Sequence, residues 1–337
     1  MAALYQHDRT VMSARHGESL VLGGWFRGHG RPVPQATSAI LFSEYALQSP
    51  NSVTGLAFTK DGRHLFSATK SEVIRWSLPD GKLPRRVSNP GDGSVFLALA
   101  GRRRLVVGRT RSYTIFDADT LRKIKSHRFE TGRSLFGGAA CANGRLLGWL
   151  YAKKAIVFYD FIARETLLVV SQPDGGRTAI RVNRACTLAA IADGKTLRLT
   201  RLSDGTVLRT WRSNYAGVSG QGTLDGGLFT PDGRFLLFAD RGELNIAGLP
   251  RGPRRGYKAM SFSPKAVWCG PQKLFSHDQL REVRGLRSPS GPKLRRILKT
   301  RGASTFTCSG DGRYLATTDH QLVRVWRLFR PGLASLP

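Results

Sequence analysis

Acid is what this sequence most lacks. Only 23 Asp and Glu stand against 53 Lys and Arg in 337 residues, a formal charge of +30 with an isoelectric point near 11.2. Long apolar runs are missing too: none approaches the ~20 residues that span a bilayer, so no membrane span is expected. The opening "MAALYQHDRTVMSARHGES" has no charged stretch followed by an apolar one, so no secretory signal is read and a cytoplasmic chain is expected. Cysteine is rare. Cys141, Cys186, Cys269 and Cys308 are far apart, with no C-x-x-C and no nearby His pair, which excludes a zinc site. Each sits in an apolar, strand-like run and reads as a small buried hydrophobe rather than part of a disulfide framework. The seven His show no ligand spacing, and there is no G-x-S-x-G, phosphate-binding glycine loop or paired-carboxylate motif. Long helical periodicity is absent as well.

What is present is one phrase written three times: "TKDGRHLFSAT" (59–69), "TPDGRFLLFAD" (230–240) and "SGDGRYLATTD" (309–319). Each reads as a strand end, a tight Asp-Gly turn and a second strand, since Asp bonds nearby backbone and Gly accepts positive φ. Nine of the 23 acids directly precede a Gly (Asp61, Asp80, Asp92, Asp174, Asp193, Asp204, Asp225, Asp232 and Asp311), which makes them turn punctuation rather than catalysts. A third run follows the turn, "EVIRWSL" (72–78) in the first copy and "QLVRVWRL" (321–328) in the last. The gap between Trp76 and Trp326 holds six periods of about 42 residues. Turns at Gly101, 143–145, 183–185, Gly233 and 269–271 fall where that period places them.

Each period contains four short β-branched and aromatic runs bounded by Gly, Pro, Asp and Asn, a strand signal at regular spacing. With the pairs Trp76-Ser77, Phe116-Asp117, Tyr159-Asp160 and Trp326-Arg327 closing third strands, residues 38–330 resemble the WD-repeat β-propeller family. The chain departs from that pattern in lacking a Gly-His pair at the blade openings and third-strand aromatics in blades four to six. The family's full Asp-His-Ser/Thr-Trp hydrogen-bond network is therefore not implied. The resemblance implies an all-β fold, a seven-bladed β-propeller of four-stranded blades. Seven third strands have only six fourth strands after them, so "AILFSEYAL" (39–47) is expected to complete the last blade and close the ring. Residues 1–36 read as a loosely docked extension, 37–330 as the ring and 331–337 as a tail.

The inferred innermost strands contain no Asp, Glu or His, and Arg181 is their only charge. A metal or cofactor in the central channel would need such ligands, so neither is expected, and the ring reads as non-enzymatic. Its expected role is that of a monomeric scaffold binding acidic protein partners through loops on a rigid frame. A basic propeller binding nucleic acid or a ribonucleoprotein is the alternative, and a propeller hydrolase or oxidoreductase a third reading. In the WD-repeat arrangement that the resemblance implies, the loops joining second to third strands, and each fourth strand to the next blade, share one face. There the candidate partner-binding residues are Arg109, Arg111, Arg133, Lys153, Lys154, Arg177, Tyr215 and Arg301, with the glycine-rich loop 212–222.

Overall fold

A computed structural model describes residues 41–328 apart from short segments, the longest being 213–224, 258–265 and 285–292. Residues 1–40 and 329–337, and with them the expected extension and tail, lie outside the described residues. The described strands form seven four-stranded antiparallel sheets, which make a β-propeller. Blade 1 runs from Gly55–Phe58 to Arg85–Ser88, blade 2 from Ser94–Ala100 to Lys123–Arg128, and blade 3 from Arg133–Ala140 to Glu165–Ser171. Blade 4 runs from Ala179–Val182 to Val207–Arg212, blade 5 from Asp225–Phe229 to Arg254–Tyr257, and blade 6 from Ala266–Trp268 to Lys293–Lys299. Blade 7 holds Thr305–Cys308, Tyr314–Asp319 and Leu322–Leu328, and its fourth strand is Leu41–Gln48. That last pairing runs from Leu41 opposite Leu328 to Gln48 opposite Leu322, so the first described strand closes the last sheet.

Neighbouring blades are held by apolar contact, because alternate residues of each strand point out of its sheet toward the next. A cluster with Leu56, Leu65 and Trp76 on one side and Ala316, Val323 and Val325 on the other joins blades 1 and 7. Equivalent clusters join each further pair of consecutive blades around the circle. Between blades 2 and 3 the contact is aromatic: Tyr113 packs on Phe129, Tyr159 and Phe161, and its hydroxyl donates to the Phe161 carbonyl at 3.1 Å. Burial pushes the Tyr113 phenol up to about 12.

The thrice-written hairpin folds the same way three times. In each copy a hydroxyl before the turn accepts the amide of the residue that opens the second strand: Thr59 from His64 at 2.9 Å, Thr230 from Phe235 at 3.1 Å and Ser309 from Tyr314 at 2.9 Å. The Asp carboxylate accepts the amide two residues on, from Arg63, Arg234 and Arg313. The following Gly62, Gly233 and Gly312 have φ of 69°, 69° and 70°, the region a side chain disfavours. Trp76 and Trp326 sit at equivalent places, opposite Leu65 and Leu315. Each indole N–H donates to a hydroxyl on the strand beside it, Ser67 at 3.0 Å and Thr317 at 3.1 Å, so the same tryptophan–hydroxyl bond recurs in blades 1 and 7.

Three readings of the sequence are corrected. The cysteines are paired, Cys141 with Cys186 and Cys269 with Cys308, with Cα–Cα distances of 5.5 and 5.2 Å. Each pair ties the end of one blade's first strand to the same region of the next blade, so apolar surroundings and covalent pairing coincide. In the sequence "RGPRRGYK" (251–258) reads as a basic turn leading into a strand that starts at Tyr257, whereas the fourth strand of blade 5 is Arg254–Tyr257. An outer strand meets water on its open edge and tolerates arginine. Finally, the first strands of blades 3 and 5 begin at Arg133 and Asp225, so Arg181 is not the only charge on the inner strands.

Candidate interaction face

First strands of consecutive blades lie side by side for blades 7, 1, 2 and 3, for blades 4 and 5, and for blades 6 and 7, which places them around the axis. Arg181 stands on this inner wall, where burial alone pulls its guanidinium below the ordinary value and Nη1 donates to the Ile180 carbonyl at 3.1 Å. Among the described residues no three His, Cys, Asp or Glu side chains come together as a metal cluster, and no helix is long and apolar enough to cross a membrane.

The face carrying the second-to-third turns is where the sequence placed its candidates. Arg111 and Lys154 are exposed at those turns of blades 2 and 3, and Arg133 is half-buried where blade 3 begins. Blade 2 reaches this spot directly, for the Leu135 amide donates to the Thr110 carbonyl at 2.7 Å. Arg133 pairs with Glu130 at 3.5 Å. Lys153, Arg177, Tyr215 and Arg301, with loop 213–222, lie outside the described residues.

Arg109 does not belong to the accessible set. It ends the second strand of blade 2 and is only 3% exposed, and its Nη2 turns back to donate to the Lys70 carbonyl at 3.1 Å and to the Asn89 carbonyl. Both acceptors belong to blade 1, so the side chain pins one blade to the next. A loop-like "GRTRS" context hid this, because sequence does not show which way a strand-end arginine points.

Sequence reasoning also missed Phe136. The first strand of blade 3 has a register shift between Leu135 and Gly137 that turns the intervening side chain outward. Phe136 is 54% exposed and stands edge-on against Tyr151 with ring centroids 4.0 Å apart. The only signal in the sequence was the "SLFGGAA" run, whose two glycines allow a bulge. Phe136 lies three residues along from Arg133, on the strand whose start is bonded to the blade 2 turn that precedes Arg111.

This β-propeller has solved counterparts. A chain of the mitotic checkpoint complex superposes with a TM-score of 0.68 at 14% identity, covering 93% of this chain and 99% of that one. The β-propeller domain of Cps50 (Swd1) from Myceliophteria thermophila gives 0.63 at 13% identity, covering 86% and 100%. At such identities the likeness is one of fold. No protein-family profile and no curated protein matches the sequence.

Proposed function

We propose that this seven-bladed ring is a non-enzymatic interaction scaffold that docks an acidic protein partner on the face of Phe136. The single observation that carries this reading is Phe136 itself. A large aromatic turned out of the core by a bulge and standing edge-on against Tyr151 has the makeup of an interface hot spot. Arg111, Arg133 and Lys154 would add steering and selectivity for carboxylates more than raw affinity. The solved counterparts, one of them a chain of a multiprotein complex, suit this reading through their shared fold.

One observation favours a second reading. Lys123, Lys125 and Arg128 are all exposed on the outer strand of blade 2, a lateral basic strip suited to a polyanion such as nucleic acid. The deciding experiment is cross-linking of the tagged full chain in its source cell, followed by recovery at low and physiological salt. The scaffold reading expects an acidic protein to be recovered at both, and lost from Phe136→Ser combined with Arg111→Glu. Lys123→Glu with Lys125→Glu should retain it. Recovery abolished by nuclease, or equally by both double variants, would overturn the scaffold reading in favour of diffuse attraction.

A further inference from the structure

The opposite face, built from first-to-second and third-to-fourth loops, carries a groove of 1170 Å³ across blades 3, 4 and 5. Its lining comes from loop and strand ends of all three blades and includes the aliphatic Leu147, Leu167, Leu188 and Leu208. Val207, on the outer strand of blade 4, is 45% exposed at its edge. The Cys141–Cys186 link ties blades 3 and 4 together at the groove, and Cys186 is part of the lining.

Among the described residues, the charged side chains of the lining are Arg145, Arg201 and Arg234, one from each blade. Arg145 is held by Asp160 at 3.2 Å and Glu165 at 3.8 Å, and Arg201 by Asp204 at 2.9 Å. Those carboxylates stand outside the lining and fix where the guanidinium groups sit, while the exposed Arg234 side chain projects from a hairpin turn.

We propose that this groove is a second docking site, separate from the Phe136 face, for an extended segment of a partner protein that alternates aliphatic and acidic residues. In an extended strand successive side chains point to opposite sides. Such a segment lays aliphatic groups against the leucines of the lining and brings a carboxylate to the exposed Arg234, whose guanidinium can grip it with two parallel N–H donors, while Arg145 and Arg201 offer the donors that Asp160, Glu165 and Asp204 leave unused. Charge argues against the chain's own leading segment as occupant, because residues 1–39 carry Arg9, Arg15, Arg27 and Arg31 against only Asp8 and Glu18.

The test is selection of a random peptide display library on the full chain, followed by anisotropy titration of the enriched peptides at physiological salt. Enrichment of acidic-aliphatic sequences is expected. Their affinity should fall about tenfold or more in Val207→Asp and in Arg234→Glu, both exposed positions, and should not change in Phe136→Ser. Failure of the Phe136 reading would leave this result untouched. Four results would overturn the proposal: enrichment of sequences without acids, loss in Phe136→Ser instead of the groove variants, equal competition by polyglutamate, or displacement by a synthetic peptide of residues 1–36.

Discussion

Trp76 and Trp326 hold equivalent strand positions in blades 1 and 7, yet they differ in burial, and that difference predicts unequal costs. Trp76 is 2% exposed, packs in the cluster shared with blade 7, and donates to the Ser67 hydroxyl, which is itself fully buried. Trp76→Ala removes a large packed aromatic, worth about 3–5 kcal/mol. It also leaves the Ser67 oxygen without its donor, which places the expected loss at the upper end of that range. Trp76→Phe keeps most of the packing and loses the hydrogen bond, about 1–2 kcal/mol. Trp326 lies at the margin of its cluster with blade 6 and is half-buried, so Trp326→Ala should cost roughly half as much as Trp76→Ala, about 2 kcal/mol. Urea unfolding followed by far-ultraviolet circular dichroism, with the slope checked for constancy, measures all three. Equal losses for both alanine variants would refute burial as the cause of the difference. A Trp76→Phe loss as large as that of Trp76→Ala would refute packing as the main contribution.

Arg109→Ala should destabilise the fold by about 3 kcal/mol, because two carbonyls of blade 1 lose a charged donor, and the same unfolding assay reads it. Reduction should lower the unfolding midpoint, since each crosslink closes a loop, with sequence separations of 45 and 39 residues. Loops of that length correspond to about 4 kcal/mol each in the chain-entropy account, and thiol titration of the oxidised chain should find no free cysteine. Alkali should also weaken the fold. The Tyr113 phenol is raised from 10.0 to about 12, so its contribution is whole below pH 10 and is lost as pH rises from there toward 12. Tyr113→Phe, compared with wild type at pH 9 and 11, should show the smaller drop.

The sequence made the ring legible because its hairpins are written in backbone chemistry. Asp-Gly turns and a hydroxyl before them have the same meaning wherever they occur, so the period and the closing strand could be read directly. Outer strands were harder. Arg254–Tyr257, with the sequence RRGY, has no apolar alternation to separate it from a turn. The cysteine pairs left a trace that composition alone conceals: separations of 45 and 39 residues are each close to one repeat, which sets the partners at matching places in adjacent blades. The site was least legible. Phe136 depends on a bulge and Arg109 on the direction of a side chain, and a one-dimensional pattern contains neither.

The pairing of Leu41 with Leu328 also sets a timetable for biogenesis. During synthesis the strand Leu41–Gln48 leaves the ribosome long before Leu322–Leu328 exists. Until then the backbone groups meant for that partner have nothing from this chain to bond, while a growing row of finished blades curves around them. An unpaired strand edge is a template for the same strand of a neighbouring nascent chain, and polysomes hold such chains close together. The contact that seals the mature ring is therefore the one most open to exchange between molecules while the ring is being made. Domain-swapped oligomers, enriched when translation is slowed late in the message, would be its signature.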